Sequence, residues 1–265
     1  MLGLGLDIPQ TASRGGATFS PNSLGDLSYY FDANNTDGWT TAGGRVETVI
    51  NRGIQRTIGF SQDEEDNRPS LVTSGGSNNK AYLSFDSSNN ACLFTSDDGS
   101  TPKDAPLGKY YSVFAVSYLN TTSDGNYGIS SMRKSGLNRW LFRQVLNSAT
   151  VDQTQLANWD DTGLVTDGTA DTNMGETWVI NFGKVYDDGG TTKVEAFVNN
   201  ATNGAQTISN DLVDTDCLLN IGKANTGGQY MNGFISEFGL YNKALSSPQQ
   251  QRLMQYLSFK YGITI

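Results

Sequence analysis

Carboxylates and tryptophans are the residues of this sequence that could serve catalysis or binding, because its 265 residues include no histidine. Ser-His-Asp and Cys-His catalysis and histidine-ligated zinc are therefore excluded. Glycoside hydrolysis stays chemically open, since it needs only two carboxylates about 5–9.5 Å apart. The strand-borne glutamates stand alone, however, and no Glu-x-Asp-x-x-Glu string occurs. The sequence predicts that the protein is not an enzyme and has no catalytic residues, with a glycoside hydrolase as the minor alternative.

Two tryptophans in polar surroundings are candidates for sugar binding. Glycan sites use an exposed aromatic ring that stacks on the sugar, with nearby Asp or Asn side chains that accept hydroxyl protons. Trp159, followed by Asp160 and Asp161 in what reads as a polar loop, is the best local match, and Trp39 is the second. The alternative for Trp159 is a ring folded back on its own domain.

Acidic loop residues form a third kind of candidate, because Ca²⁺ accepts carboxylate, amide and carbonyl oxygens as ligands. The acidic residues in question are Asp160-Asp161, Asp187-Asp188 and Asp214/Asp216. None has the specific spacing of an EF-hand loop, and Asp is common in tight turns. No metal site is therefore predicted, and calcium remains an open alternative to turn chemistry.

Composition limits the partners. The net charge of −9 would repel nucleic acid and anionic membranes, so neither nucleic-acid binding nor membrane insertion is predicted. The first residues, MLGLGLDIPQ, lack a basic n-region, which predicts no signal peptide. Cys92 and Cys217 are far apart and in apolar surroundings, which favours two buried free thiols over a disulfide.

The N-terminal region differs from the remainder of the chain. Residues 1–23 lack hydrophobic periodicity and are rich in glycine, which predicts an extended arm preceding one domain over residues 24–265. The apolar residues of the arm are costly to leave in water and cannot form a core alone, so docking on a partner or on the parent domain is expected. These docking residues are Met1, Leu2, Leu4, Leu6 and Ile8.

From Leu27 onward, short apolar runs alternate with turn residues, a pattern typical of an antiparallel sandwich of about eleven strands. The run Tyr110–Leu119 is apolar on both alternating sets, which predicts a central strand covered on two sides. Polar connections at residues 87–90 and 187–190 each predict a hairpin. Trp140 and Trp178 lie in predicted strands and are expected in the core.

The last residues predict one short C-terminal helix. Ser247 fits an N-cap, Pro248 the first helical position and Gln250 the third, as in a capping box. Gly262 is placed for a left-handed C-cap. The stripe expected to face the sheet comprises Leu253, Met254, Leu257 and Tyr261.

This layout resembles the laminin-G-like branch of the concanavalin A-like lectin/glucanase superfamily over about Leu24 to Ile263. Four segments in the expected order carry the likeness. They are DLSYYFDANN with GGRVETVINRG, NRPSLVTSGG through AYLSFDSSNNACL, GETWVINFGKVYDDGGTTKVEAFVNN, and FISEFGLYNKALSSPQQQRLMQYLSFKYGI. The third departs from the family pattern, because its closing turn is Asn199-Asn200 in place of Asn-Gly.

The resemblance implies an all-β, antiparallel jelly-roll sandwich and a role in glycan or protein binding. Such domains also occur in bacteriophage virion proteins. We therefore expect a non-enzymatic virion structural protein, head decoration or tail-associated, that is made in the host cytoplasm. The arm would contact other virion proteins within an oligomeric assembly. The alternative is a carbohydrate-binding module that recognises a glycan on the host cell surface, and the two roles are compatible.

Overall fold

The computed structural model describes residues 19–97, 102–134, 137–147, 152–160, 163–171, 174–208, 212, 216–224 and 228–265. The described strands are β1 (Leu27–Asp32), β2 (Thr40–Ala42), β3 (Arg45–Val49), β4 (Gly59–Ser61), β5 (Ser70–Val72), β6 (Tyr82–Phe85), β7 (Leu93–Ser96), β8 (Asp104–Ala105), β9 (Tyr111–Leu119), β10 (Gly125–Lys134), β11 (Leu137–Leu146), β12 (Gln153–Asp160), β13 (Gly163–Asp171), β14 (Trp178–Asp188), β15 (Thr191–Val198), β16 (Gln206–Thr207), β17 (Cys217–Ile221) and β18 (Gly233–Tyr241). The C-terminal helix is α1 (Ser247–Tyr261).

Most of the strands form two layers, which we call the front and back sheets. Strands β3, β4 and β5 link them, because β5 pairs with β6, β4 pairs with β7, and β3 pairs with both β4 and β5. In the front sheet, β1 and β6 both pair with β18, and the order continues through β9, β14, β15 and β16. In the back sheet, β7 and β8 pair with β17, and the order continues through β10, β11, β12 and β13. All these strand pairs are antiparallel, which confirms the predicted all-β jelly-roll sandwich with a C-terminal helix.

The central strand β9 shows why the front sheet needs a cover on both faces. Val113 and Ala115 belong to the core between the two sheets, whereas Phe114 and Val116 belong to a second buried cluster beneath α1. Successive side chains of a strand point to opposite faces, so an apolar residue at every position requires two apolar surfaces. The prediction of a doubly covered strand is confirmed.

Helix α1 covers the outer face of the front sheet with the expected apolar stripe. Its buried residues include Leu253, Met254, Leu257 and Tyr261. The predicted N-cap is wrong by one residue. Successive serines and glutamines allow two alignments of Ser-x-x-Gln, and the helix uses the earlier one, with Ser246 as N-cap and its backbone N–H donating to Gln249 Oε1 at 3.0 Å. Gly262 takes the predicted left-handed cap, with a φ of 64°.

The two predicted hairpins have different outcomes. Asp187 to Gly190 connects β14 to β15, and both glycines of the turn have positive φ, as predicted. The hairpin predicted at residues 87–90 is wrong, because β6 pairs within the front sheet and β7 within the back sheet. The connection is a 3-10 turn over Ser87–Asn89, and Asp86 Oδ1 accepts a hydrogen bond from the Ser88 N–H. A polar connection of this length serves a crossing between sheets as well as a hairpin.

The strand count predicted from the sequence is too low, since the described residues form 18 strands. Among the strands that were missed, the pair β12 and β13 is poor in apolar residues, and buried polar side chains of β12 are hydrogen-bonded within the sandwich. Thr154 Oγ1, for example, donates to Asn181 Oδ1 at 2.6 Å. Cys92 and Cys217 are buried thiols that form no disulfide, as predicted. No helix in the described ranges is long and apolar enough to span a bilayer.

Candidate functional site

The tryptophan favoured by the sequence lies in a strand and not in a loop. Trp159 and Asp160 are the last residues of β12, and their backbones pair with Leu164 and Gly163 of β13. The expected polar loop is therefore wrong, because the polar residues around Trp159 belong to a strand pair. Asp161 lies outside the described residues.

The other tryptophans mainly serve packing. Trp39 is half-buried, and its ring meets Phe31 edge-on with centroids 6.1 Å apart. Trp140 is fully buried and stacks on Tyr111 at 5.5 Å. Trp178, expected in the core, is half-buried on the outer face of the front sheet. None of these rings presents a large exposed face.

The proposed calcium ligands do not form a cluster in the described part of the chain. Asp187 Oδ1 accepts a hydrogen bond from the Gly190 N–H at 3.0 Å, which is the turn chemistry that was the alternative for this pair. Asp214 lies outside the described residues, and Asp216 precedes β17. No three Asp, Glu or Cys side chains converge among the described residues in a way that could hold a metal ion.

Four half-buried rings on the front sheet form what we call the sheet cluster: Tyr82, Tyr118, Trp178 and Phe234. They come from neighbouring strands β6, β9, β14 and β18, where Tyr118 pairs with both Phe234 and Trp178. Their ring centroids lie 4.5–6.2 Å apart, and Tyr118 and Phe234 stack with an interplanar angle of 15°. Tyr118 and Phe234 therefore cover one face of each other, and all four half-buried rings leave less surface open to a ligand than a fully exposed ring would.

A second aromatic surface runs along α1, and we call it the helix groove. It has a volume of about 770 Å³ and is lined by Phe19, Asn78, Lys80, Arg252, Gln255, Tyr256, Phe259 and Lys260. The aromatic part begins where the Phe19 ring packs on Tyr256, with centroids 5.3 Å apart. It ends at Phe259, whose side chain is unusually open at 89% exposure. Here a ring face is free.

The position of Phe259 on the helix explains its exposure. The buried stripe of α1 runs through Leu253, Leu257 and Tyr261, and Phe259 falls between its last two members, about 160–200° around the helix from each. Exposed Gln255 is one turn earlier on the same side. This arrangement places an aromatic ring beside an amide that can bind hydroxyl groups.

Beneath the groove, a buried polar network fixes α1 to the front sheet. The Lys260 ammonium donates to Asp32 Oδ2 at 2.6 Å and to Glu237 Oε2 at 2.7 Å. Glu237 is fully buried and also accepts hydrogen bonds from the hydroxyls of Tyr30, at 2.7 Å, and Tyr261, at 2.8 Å. Burial raises the pKa of Glu237 above its ordinary value, although the nearby Lys260 ammonium opposes the shift.

The groove is basic in an acidic protein. Its described lining contains Lys80, Arg252 and Lys260 but no carboxylate, whereas the whole chain has 27 acidic and 18 basic residues. The positive charge of Lys260 is paired with Asp32 and Glu237, which lie beneath the groove. Lys80 and Arg252 take part in none of the ion pairs between described residues. The groove thus combines open aromatic surface, amide groups and hydrogen-bond donors.

Sequence reasoning missed this groove because its residues come from three distant segments. One signal was available, since Phe259 is an aromatic residue off the apolar stripe of a strongly predicted helix. The structure adds that the end of the predicted arm packs on the domain, since Pro21 is buried and its carbonyl accepts a hydrogen bond from the Tyr241 hydroxyl at 3.0 Å. The proposed docking residues, which are Met1, Leu2, Leu4, Leu6 and Ile8, lie outside the described residues.

No family model and no curated protein matches this chain. Solved structures do match. The receptor binding domain of botulinum neurotoxin D aligns with a TM-score of 0.58 and 15% identity, over 89% of this chain and 54% of that domain. Another match is domain 4 of AbnA, a GH43 extracellular arabinanase from Geobacillus stearothermophilus, in complex with arabinotriose. It aligns with a TM-score of 0.54 and 15% identity, over 87% of this chain and 98% of that domain.

A third structure, the ligand binding domain of botulinum neurotoxin serotype D in complex with N-acetylneuraminic acid, aligns with a TM-score of 0.51 and 14% identity over 89% of this chain. The chain spans about half the length of the toxin domains that it matches. At these identities the likeness shows the fold alone, an antiparallel jelly-roll sandwich. The narrower resemblance to laminin-G-like domains remains a prediction.

Proposed function

We propose that this chain is a glycan-binding module and that the helix groove holds the sugar. The observation that carries the proposal is the 89% exposure of Phe259 within a groove that also contains Tyr256, Asn78 and Gln255. A sugar ring offers an apolar C–H face to an aromatic ring and hydroxyl groups to amides, so it matches both halves of the groove.

The solved neighbours support the same class of ligand. One is in complex with arabinotriose, another is in complex with N-acetylneuraminic acid, and others are receptor binding domains of toxins. A shared fold can host different functions, so these likenesses support the class of ligand and give no sugar identity.

The test is binding of the full chain to a glycan array, followed by titration calorimetry with each glycan that binds. Phe259→Ala removes the free ring and should weaken binding at least about tenfold, the loss expected when a central contact of an interface is removed. Ile54→Ala is the matched control, because Ile54 is an exposed apolar residue, at 59%, outside the groove. Unchanged affinity in Phe259→Ala would exclude the groove as the sugar site.

Binding without turnover is the second part of the proposal. The described lining of the groove has no carboxylate, while glycoside hydrolysis needs a pair of them about 5–9.5 Å apart. Prolonged incubation of the protein with each bound glycan should release no new reducing ends. Release that persists in a freshly repurified sample would identify a glycosidase.

We further propose that the module is displayed on a bacteriophage virion. The family resemblance supports this role, and so does the apolar arm, whose residues 1–8 suit contact with another protein. Mass spectrometry of purified particles should then detect the chain, and deletion of residues 1–18 should abolish its incorporation while glycan binding is kept. Incorporation of the truncated chain at the normal level would contradict the role of the arm.

A further inference from the structure

A polar cavity lies next to the helix groove. It has a volume of about 450 Å³, within the range of small-molecule sites, and its lining includes Asn22, Asn35, Arg52, Arg56 and Tyr256. Tyr256 lines the groove as well. The segment from Phe19 to Asn22 also joins the two sites, because Phe19 lines the helix groove and Asn22 lines the cavity. A ligand of more than one sugar unit can therefore reach both.

The cavity presents positive charge that no carboxylate among the described residues compensates. Asp32 is the one carboxylate in its described lining, and both of its oxygens are already engaged. Oδ2 accepts a hydrogen bond from the Lys260 ammonium at 2.6 Å, and Oδ1 accepts two from Asn34 at 3.0 Å. Neither Arg52 nor Arg56 forms an ion pair with another described residue. Two guanidinium groups thus face the cavity without a carboxylate partner.

Arg52 also has an unsatisfied donor. Its Nη2 donates to the Asp37 carbonyl at 3.0 Å, which fixes the orientation of the guanidinium. Its Nε is buried and has no hydrogen-bond partner among the described residues. A buried orphan donor in a native protein calls for an explanation, and a bound ion or water is a common one.

From these observations we propose that the cavity is a subsite for the carboxylate of an acidic sugar unit, the rest of the glycan lying in the helix groove. This inference rests on the glycan-binding function proposed above. Arginine suits the role because its planar guanidinium binds a carboxylate through two parallel hydrogen bonds. The Asn22 and Asn35 amides at the rim suit the hydroxyl groups of the same sugar. Uronic acids and sialic acids share this chemistry.

Calorimetry on the full chain with pairs of glycans that differ in charge tests the inference. The first pair is trigalacturonate and its methyl ester, which differ in charge but hardly in shape. The second pair is a sialylated oligosaccharide and its asialo form. The protein should prefer the acid in at least one pair by about tenfold or more, as expected for a charge-assisted arginine contact. The pair that shows the preference identifies the source of the carboxylate.

Substitutions of the two cavity arginines test whether the preference for the acidic glycan arises in the cavity. Arg52→Gln should reduce it to about twofold or less, and Arg56→Gln, at an exposed position, should reduce it without any change in the unfolding midpoint. Lys193→Gln is the control for loss of one positive charge, because Lys193 lies on β15, away from the cavity. In both arginine variants, the affinity for the neutral member of the pair should be unchanged.

The outcomes separate the two proposals. Equal affinity for the acid and the neutral form, or full preference retained in both arginine variants, overturns the subsite and leaves glycan binding intact. A preference for sulfated over carboxylated sugars overturns the carboxylate assignment. Absence of binding to every member of the array and of both pairs overturns the glycan function and the subsite together.

Discussion

The sheet cluster and the helix groove are both aromatic, but they use their rings differently. In the sheet cluster, antiparallel pairing sets Tyr118 beside Phe234 and Trp178, so that the rings contact one another. In the groove, Phe259 leaves the buried stripe of α1 and its ring is 89% exposed. Aromatic content alone therefore does not make a binding surface. A ligand needs a ring face that the protein does not use.

The largest expected change in stability comes from breaking the buried polar network beneath the groove. Lys260→Met should lower the free energy of unfolding by about 3–5 kcal/mol, because it leaves Glu237 buried without its cation. Lys80→Met is the control, since Lys80 lines the same groove but has no ion pair with a described residue. Urea denaturation of both variants measures the difference. Equal stability of the two variants would mean that the network beneath the groove does not hold α1.

Trp178→Ala tests the structural role of the sheet cluster. The indole contacts Tyr82, Tyr118 and Phe234 at centroid distances of 5.6–6.2 Å, and its removal leaves a gap among them. We expect a loss of about 3 kcal/mol, at the lower end of the range for buried aromatic residues because Trp178 is half-buried. Thermal or urea unfolding measures it. A loss below about 0.5 kcal/mol would contradict the packing role assigned to this cluster.

Acid titration distinguishes the two regions further, because Glu237 lies beneath the groove and the sheet cluster has no carboxylate. Burial raises the pKa of Glu237, so the folded protein holds this proton more tightly than the unfolded chain does. The resulting contribution of Glu237 to the free energy of unfolding is fully present below the pKa of an unfolded glutamate. It is lost as the pH rises through the pKa of Glu237 in the folded protein.

The free energy of unfolding of the wild type should therefore fall relative to that of Glu237→Gln as the pH rises above about 4.3, by at most about 1.4 kcal/mol per pH unit. Urea denaturation of both proteins across this range gives the two curves. Parallel curves would show that Glu237 has the same pKa in the folded and unfolded states.

The smallest expected effect is that of Phe259→Ala on stability. The ring lies outside the buried clusters, so the free energy of unfolding should change by less than about 0.5 kcal/mol. Urea denaturation beside Trp178→Ala makes the contrast direct. A loss comparable to that of Trp178→Ala would place Phe259 in the packing of the domain and remove the basis for a free ring face.

Much of the fold could be predicted from the sequence, because local signals and tertiary packing agree. The doubly apolar run of β9, the glycine turn between β14 and β15 and the capped helix α1 each carry their own signal. Strand β12 could not be recognised, since buried polar pairs across the sandwich replace apolar alternation. The Tyr111 hydroxyl donates to Asn158 Oδ1 at 2.6 Å, and the Thr154 hydroxyl donates to Asn181 Oδ1 at 2.6 Å.

The candidate site was harder to predict, because it has no sequence motif. The groove is assembled from Phe19, the turn around Asn78 and the outer side of α1, which meet only in the folded chain. Ser77 Oγ and Asn78 Nδ2 donate to the carbonyls of the last turn of α1, at 2.6 and 3.1 Å, and this contact brings the turn to the helix. The tryptophans were poor indicators of the site, since the most exposed aromatic side chain among the described residues is that of Phe259.

The most direct test of the account is the glycan affinity of three variants, measured by calorimetry with the glycan that the wild type binds best. Phe259→Ala should lose at least about tenfold in affinity, Phe259→Tyr, which retains a ring, should lose less than about threefold, and folded Trp178→Ala should bind like the wild type. Loss of binding in Trp178→Ala together with normal binding in Phe259→Ala would assign the sugar site to the sheet cluster and contradict the account.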